Sequence, residues 1–252
     1  MIFGRKKQQA SQTEPDPEVV SEALDDADLD DEDLEDEDLG DESNDHDLDA
    51  DYDDVDEEDD EWLVYDESED WRVEGPYDVD EVDLEVDDVP RLDLGALIVT
   101  PEEGMQIQII ADAESGNGLA LVLSLGSAAM QVEVKAAPQS SGFAAEIRGD
   151  IIEETLSVGG SAERAKGPYG TELRRVVPVE SDGEEAFAPM RDWLVQGPRW
   201  LLLARLMGDA AIDVAGDGAS LPFDEAFRNL IVRRGDEPMA PGQTVPLKVP
   251  EG

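Results

Sequence analysis

The sequence predicts an α+β fold, a mainly antiparallel β-sheet with two packed helices, preceded by a long disordered acidic segment. Charge distribution is the first reason. Residues 1–90 hold 41 of the 66 Asp and Glu but 4 of the 18 Lys and Arg, so net charge is −37 there and −11 over residues 91–252. A stretch with so much like charge cannot bury enough apolar surface to offset its ordering entropy. The second reason is a series of short apolar segments after residue 95 that alternate with period two and are separated by Gly and Pro turn signals. The third is a pair of stretches that change to helical period. Together they give a disordered acidic region with a short basic start over 1–74, and one α+β domain over 75–252 with a proline-rich extended C-terminal tail.

Within the acidic region Leu24, Leu29, Leu34 and Leu39 recur every fifth residue. A five-residue step advances about 140° on a helix and alternates faces on a strand, so neither structure gathers the leucines into one surface. A calcium loop is excluded by register, because placing Gly40 at the sixth position puts Leu39 where a ligand belongs. The region reads as a solubilising tail, as a tether that reaches about 45 Å and masks a basic surface of its own domain, or as an acidic interaction segment. His46, the one histidine of the chain, lies inside it as a solvated residue.

The domain elements follow in order. "LGALIV" and "GMQIQII" read as strands, "DAESGNG" as a hairpin connection, and "LALVLSL" as a strand covered on both faces. "AAMQVEVKA" alternates with Met130, Val132 and Val134 inward. "GFAAEIRGDIIEETLSVGG" changes period and predicts a helix across the sheet, with Phe143, Ile147, Ile151, Ile152 and Leu156 on its apolar face. "SAERAKGPYGTELRRVVPVE" gives strands around a Gly-Pro turn, "SDGE" is a hairpin signal, and "EAFAPMRDWLVQGPRWLLLARLMGD" gives two strands joined at Gly197-Pro198. Trp200, Leu202, Ala204 and Leu206 share one face and Leu201 and Leu203 the other, which predicts a central strand. "SLPFDEAFRNLIVRRGDE" predicts a helix with Phe223, Phe227, Leu230 and Ile231 on one face and Arg233 and Arg234 at its end. The proline-punctuated tail should run extended over the surface. The loose likeness of the two halves raises a duplicated unit.

Function is bounded mostly by exclusion. With no cysteine, and no histidine outside the acidic region, the domain holds no Ser-His-Asp, Cys-His or His-based zinc device. "GNGLAL" lacks the third glycine of a dinucleotide loop, and no phosphate-binding loop or nucleophile elbow is present. Pairs such as Glu153-Glu154 and Glu184-Glu185 read as solvated surface. A net-negative domain disfavours nucleic acid. No apolar run reaches the roughly 20 residues needed to span a bilayer, and the opening "MIFGRKKQQA" is not a signal peptide. No catalytic residue, metal or cofactor is expected. The segment "GPYGTELRR" sets Tyr169 on a tight turn with Glu172 and Arg174 on one strand face after it, and "GPRW" presents Arg199 and Trp200 similarly. These five are the candidate ligand or partner site. Arg174, Arg175, Arg233 and Arg234 are the candidate basic patch for tail docking.

"MIFGRKK", "GPYDVDEV", "GPYGTELR", "GPRWLLLARLMG" and "FRNLIVRRGDEPMAPGQTVPLKVP", in this order, resemble the actinobacterial proteins grouped as domain of unknown function 3710. The resemblance covers about Gly75 to Pro250 plus the basic start. It implies a cytoplasmic protein and brings no activity or catalytic residue with it; the acidic insert is long for that family. The expectation is a soluble, non-enzymatic interaction or adaptor protein with a protein partner. The alternative is a small-ligand-binding or enzymatic domain with its site near the two Gly-Pro turns.

Overall fold

The computed structural model of the chain describes residues 61–86, 88–181 and 183–249. The leucine repeat, the basic start and His46 lie outside them. Residues 61–67 are helical (α1). The strands are β1 (Tyr77–Asp78), β2 (Leu92–Asp93), β3 (Leu97–Val99), β4 (Gln106–Ala111), β5 (Gly118–Leu125), β6 (Ala128–Ala136), β7 (Ser161–Gly167), β8 (Gly170–Ser181), β9 (Glu184–Gly197), β10 (Trp200–Gly208) and β11 (Ile231–Val232). The remaining helices are α2 (Phe143–Ser157), α3 (Asp209–Ile212) and α4 (Leu221–Arg228).

The main sheet has seven strands in the order β4-β5-β6-β10-β9-β8-β7, antiparallel throughout. β10 takes the middle because its side chains are apolar on both faces. On one face Trp200, Leu202, Ala204 and Leu206 join Trp193, Val132, Val134 and Leu121, and Phe223 and Phe227 of α4 pack onto them. Leu97, Val99 and Val232 of a second, four-stranded sheet (β1-β11-β3-β2) close the same core. On the other face Leu201, Leu203, Leu194 and Leu173 meet Phe143 and Ile151 of α2. The two halves are not repeats: a three-strand meander precedes α2 and a four-strand meander follows it.

Four local expectations change. The last helix ends at Arg228, and Ile231 and Val232 form β11, parallel to β1 and antiparallel to β3. Both residues are β-branched and Ile231 continues the apolar face, yet pairing with two sequence-distant strands outweighs one more helical turn. On α2 the buried residues are Phe143, Arg148, Ile151 and Thr155, while Leu156 is 56% exposed. Two polar side chains take inward positions that hydrophobicity assigns to Leu156. β5 is covered fully on one face only: Leu121 and Leu123 are buried but Leu119 is exposed, since α2 packs over β7, β8 and β9. In the C-terminal tail Val245 and Leu247 are buried, and Leu247 bridges to both Gly95 and Gly118, so this segment ties the two sheets together.

Residues 61–74, expected to belong to the disordered acidic region, are ordered. They form α1 and a turn, and they bond to the domain through side chains described below.

The corrected face of α2 is testable by chemical denaturation. Ile151→Ala should lose about 2–5 kcal/mol as a buried truncation, whereas Leu156→Ala should stay within about 0.5 kcal/mol of the parent.

Candidate functional site

The β7-β8-β9-β10 meander brings its two Gly-Pro turns to the same end of the sheet. Gly167 pairs with Gly170 across Pro168-Tyr169, and Gly197 with Trp200 across Pro198-Arg199. Trp200 also pairs with Ala136, so the connection from β6 into α2 reaches this end as well. Gly197 is required here, because a Cβ on it would stand 2.1 Å from the Trp200 indole.

Residues 61–72 lie across this end and, with the domain, line a half-open cavity of about 550 Å³. Leu63 and Trp71 line one side, Leu194, Val195 and Pro198 another, and Tyr169 and Arg148 contribute polar groups. The covering segment is fixed mainly by Asp66. Its carboxylate accepts from the Thr171 N–H at 2.8 Å and pairs with Arg148, a residue only 2% exposed in the body of α2. Arg148 donates a second bond to the Thr171 carbonyl at 3.3 Å. Burial lowers its pKa, and the Asp66 charge opposes that effect. The Trp71 indole N–H donates to the Asp66 carbonyl at 2.9 Å, and Tyr65 packs on Trp71 with ring centroids 5.1 Å apart. Lys166 stands over the Tyr65 ring, 5.0 Å from its centroid. At the far end Glu74 pairs with Arg228 at 2.6 Å, and Ser141 donates to Glu67 at 3.3 Å.

Of the five candidate site residues, only Tyr169 lines the cavity. Its side chain is otherwise packed against Trp193 and Phe227, and its hydroxyl donates to Asp224 at 2.6 Å. Burial, with the neighbouring Asp224 carboxylate, pushes its pKa well above the ordinary tyrosine value. Glu172 and Arg174 do share a strand face and pair at 2.9 Å, but Glu172 is 1% exposed and belongs to the interior. It also accepts from Arg191 at 2.8 Å and from the Trp193 indole at 3.0 Å. Trp200 is fully buried and donates to Asp78 at 2.7 Å, beneath the Arg72 guanidinium. Arg199 turns outward from a left-handed position (φ 59°) toward Gly235 and Asp236. The five therefore divide between core and surface.

The four arginines proposed as a basic patch do not form one surface. Arg175 is buried against Asp192 and Thr155. Arg233 pairs with Asp93 at 2.8 Å, and Arg234 donates to the Glu237 carbonyl. Sequence reasoning missed Asp66, Trp71, Arg148 and Gln196. The aromatic cluster around "EWLVYDESEDW" was the available signal for the first two. Arg148 had none, since an arginine within a helix reads as surface. Among the described residues no group of three or more His, Cys, Asp or Glu is placed to hold a metal ion, and no helix is long and apolar enough to cross a membrane.

A family model described as "Protein of unknown function (DUF3710)" matches residues 75–252. No curated protein matches the sequence. Solved structures similar to this chain include the solution structure of cyanobacterial PsbP (CyanoP) from Synechocystis sp. PCC 6803, at 11% identity and a TM-score of 0.34, covering 59% of this chain and 96% of that one. Another is LpqN, involved in cell envelope biogenesis of Mycobacterium tuberculosis, at 8% identity and a TM-score of 0.32, covering 59% of this chain and 87% of that one. Likeness at this level carries no functional argument.

Two variants test the buried groups. Glu172→Gln should cost about 3–5 kcal/mol, because it leaves Arg191 buried without its counter-charge; equilibrium denaturation measures it. For Tyr169, the raised pKa means that above about pH 10 the unfolded chain releases a proton that the folded chain keeps. Stability then falls with rising pH, by about 1.4 kcal/mol per unit for this group. Tyr169→Phe should lose about 1 kcal/mol at neutral pH with the hydrogen bond, and should show a shallower alkaline decline than the parent.

Proposed function

We propose, for a chain that belongs to the DUF3710 family of proteins of unknown function, that it is a non-enzymatic interaction protein that receives a protein partner at the cavity beneath residues 61–72. One observation carries this reading. The cavity is walled by the domain on one side and, on the other, by a segment that precedes the family-matched region. A surface that already holds a peptide segment and still has about 550 Å³ unfilled is built for binding. The buried charges of the main sheet support the same conclusion. Glu172 and Asp192 are each held by two arginines, so they stabilise the fold and present no free carboxylate to a reactant.

A second reading has its own support, since the cavity volume also falls in the range of small-molecule sites. Tyr169, Arg148 and Gln196 would then be its polar contacts. This set differs from the five residues that the turns alone suggest. The partner is taken to be protein, because the domain's net negative charge repels nucleic acid. The working compartment is taken to be the cytoplasm, as the family resemblance implies.

Photo-cross-linking in cells of the source organism tests the interaction reading. A benzophenone side chain at Gln139, exposed on the cavity rim, should give a reproducible protein adduct that Ala145→Trp suppresses by filling the cavity. The same label at Ile110, on the far edge strand, should give none. Rim labels that yield no adduct, or an adduct unaffected by filling the cavity, would remove it.

A further inference from the structure

Arg148 and residues 61–71 differ sharply in how firmly each is built. With the segment in place Arg148 is 2% exposed, Thr171 1% and Tyr169 6%, and all three are carried by α2 and by the β7-β8 turn and strand of the main sheet. In the covering segment no residue from 61 to 74 is fully buried. Among the described residues, Asp66 is the one carboxylate paired with Arg148, and it comes from outside the family-matched region. Without it the guanidinium would retain the Thr171 carbonyl but lose its counter-charge at the wall of the cavity.

The receiving geometry is specific for a carboxylate. One oxygen meets the guanidinium and the other meets the Thr171 N–H. Gly170 (φ 88°) permits this approach, because a Cβ there would stand 2.8 Å from the bound Asp66 oxygen and 3.4 Å from the Trp71 indole. Lys166 over Tyr65 extends the same recognition to an aromatic side chain next to the carboxylate. A second aromatic, five residues after the carboxylate, closes the hook through its bond to the Asp66 carbonyl.

We propose that Arg148, the Thr171 amide and Lys166 form a receptor for acidic aromatic peptide segments, and that residues 61–71 are its resident occupant, displaced when a partner protein offers a segment of the same chemistry. This deepens the interaction reading and rests on it. The cavity beside Trp71 gives the incoming segment room for side chains larger than those of the resident one.

Fluorine NMR on the full chain labelled with 5-fluorotryptophan tests it. The probe is an unlabelled peptide of residues 61–74. The tethered segment competes at an effective concentration on the order of millimolar, so peptide in the millimolar range should move the Trp62 and Trp71 resonances to new positions. Trp193 and Trp200, both in the core, should stay in place. A peptide carrying Asp66→Asn should be at least tenfold weaker. In the Arg148→Met chain, where a hydrophobic side chain of similar length replaces the buried cation, Trp71 should occupy the displaced position without any peptide. The two-peptide comparison on the parent chain decides the matter even if that variant does not fold. No movement of Trp71 at tens of millimolar, or equal movement by the Asp66→Asn peptide, would overturn the receptor. Movement caused by raising the concentration of the chain alone would make a second copy the occupant and overturn the assignment to a foreign partner. The receptor can fail this test while rim cross-linking succeeds, which would leave an interaction protein that recognises something other than a carboxylate.

Discussion

Two buried carboxylates on neighbouring strands, facing opposite sides of the sheet, set the register on which the rest of the structure depends. Glu172 of β8 binds Arg191 and Trp193 of β9 and Arg174 of its own strand, on the face that carries the large core. Asp192 of β9 binds Arg175 of β8 and Arg205 of β10, on the face beneath α2, where Thr155 also reaches Arg175. A slip of one residue between β8 and β9 would turn Arg191 away from Glu172 and Asp192 away from Arg175, leaving each buried carboxylate with one arginine in place of two. Apolar residues alone would tolerate such slips better. The ionic clusters therefore serve specificity of pairing, and the register they fix brings the two Gly-Pro turns and the start of α2 together at one end.

How much of this was legible in the sequence depends on the range of the interaction. Alternation in "AAMQVEVKA" and the two apolar faces of "WLLLARLM" identified β6 and the central strand, because burial on a sheet has a fixed period of two. The same logic placed Glu172 and Arg174 on one face. It could not tell how deeply that face is covered, and their partners Arg191 and Trp193 are contributed from the next strand. Ile231 continues the apolar face of α4, and nothing local marks Ile231 and Val232 as having left the helix. Their strand identity comes from Tyr77–Asp78, more than 150 residues away in the chain, and from β3. Arg148 is the extreme case. A charged residue within an amphipathic helix reads as solvated until the carboxylate that neutralises it is located 82 residues earlier.

The acidic N-terminal region acquires a different aspect from its last part. Composition alone suggested a boundary near residue 75 and a basic patch that the tail would cover. In the structure the arginines of that patch are occupied: Arg175 inside the sheet layer, Arg174 by Glu172, and Arg233 by Asp93. The segment before residue 75 is held by Arg148 and the Thr171 amide at Asp66, by Lys166 over Tyr65, and at its margins by Arg228 on Glu74 and Ser141 on Glu67. Attraction between the tail and the domain is thus a matter of stereochemistry at Asp66 more than of summed charge, and salt should weaken it less than it would a diffuse contact.

The placement of the ion pairs separates two roles within one chain. The Arg191–Glu172 and Arg175–Asp192 pairs join β8 to β9 with both partners buried inside the domain, so breaking either requires the sheet to open. The Asp66–Arg148 pair joins the domain to a segment with no fully buried residue, so the same kind of bond can be released by lifting a short stretch of surface chain. Once lifted, the segment leaves behind a guanidinium at the cavity wall, bonded to the Thr171 carbonyl, that a fitting carboxylate would neutralise. A cation retained in that state favours ligand capture over stability, since an apolar side chain at position 148 would pack the helix onto the sheet without needing a counter-charge.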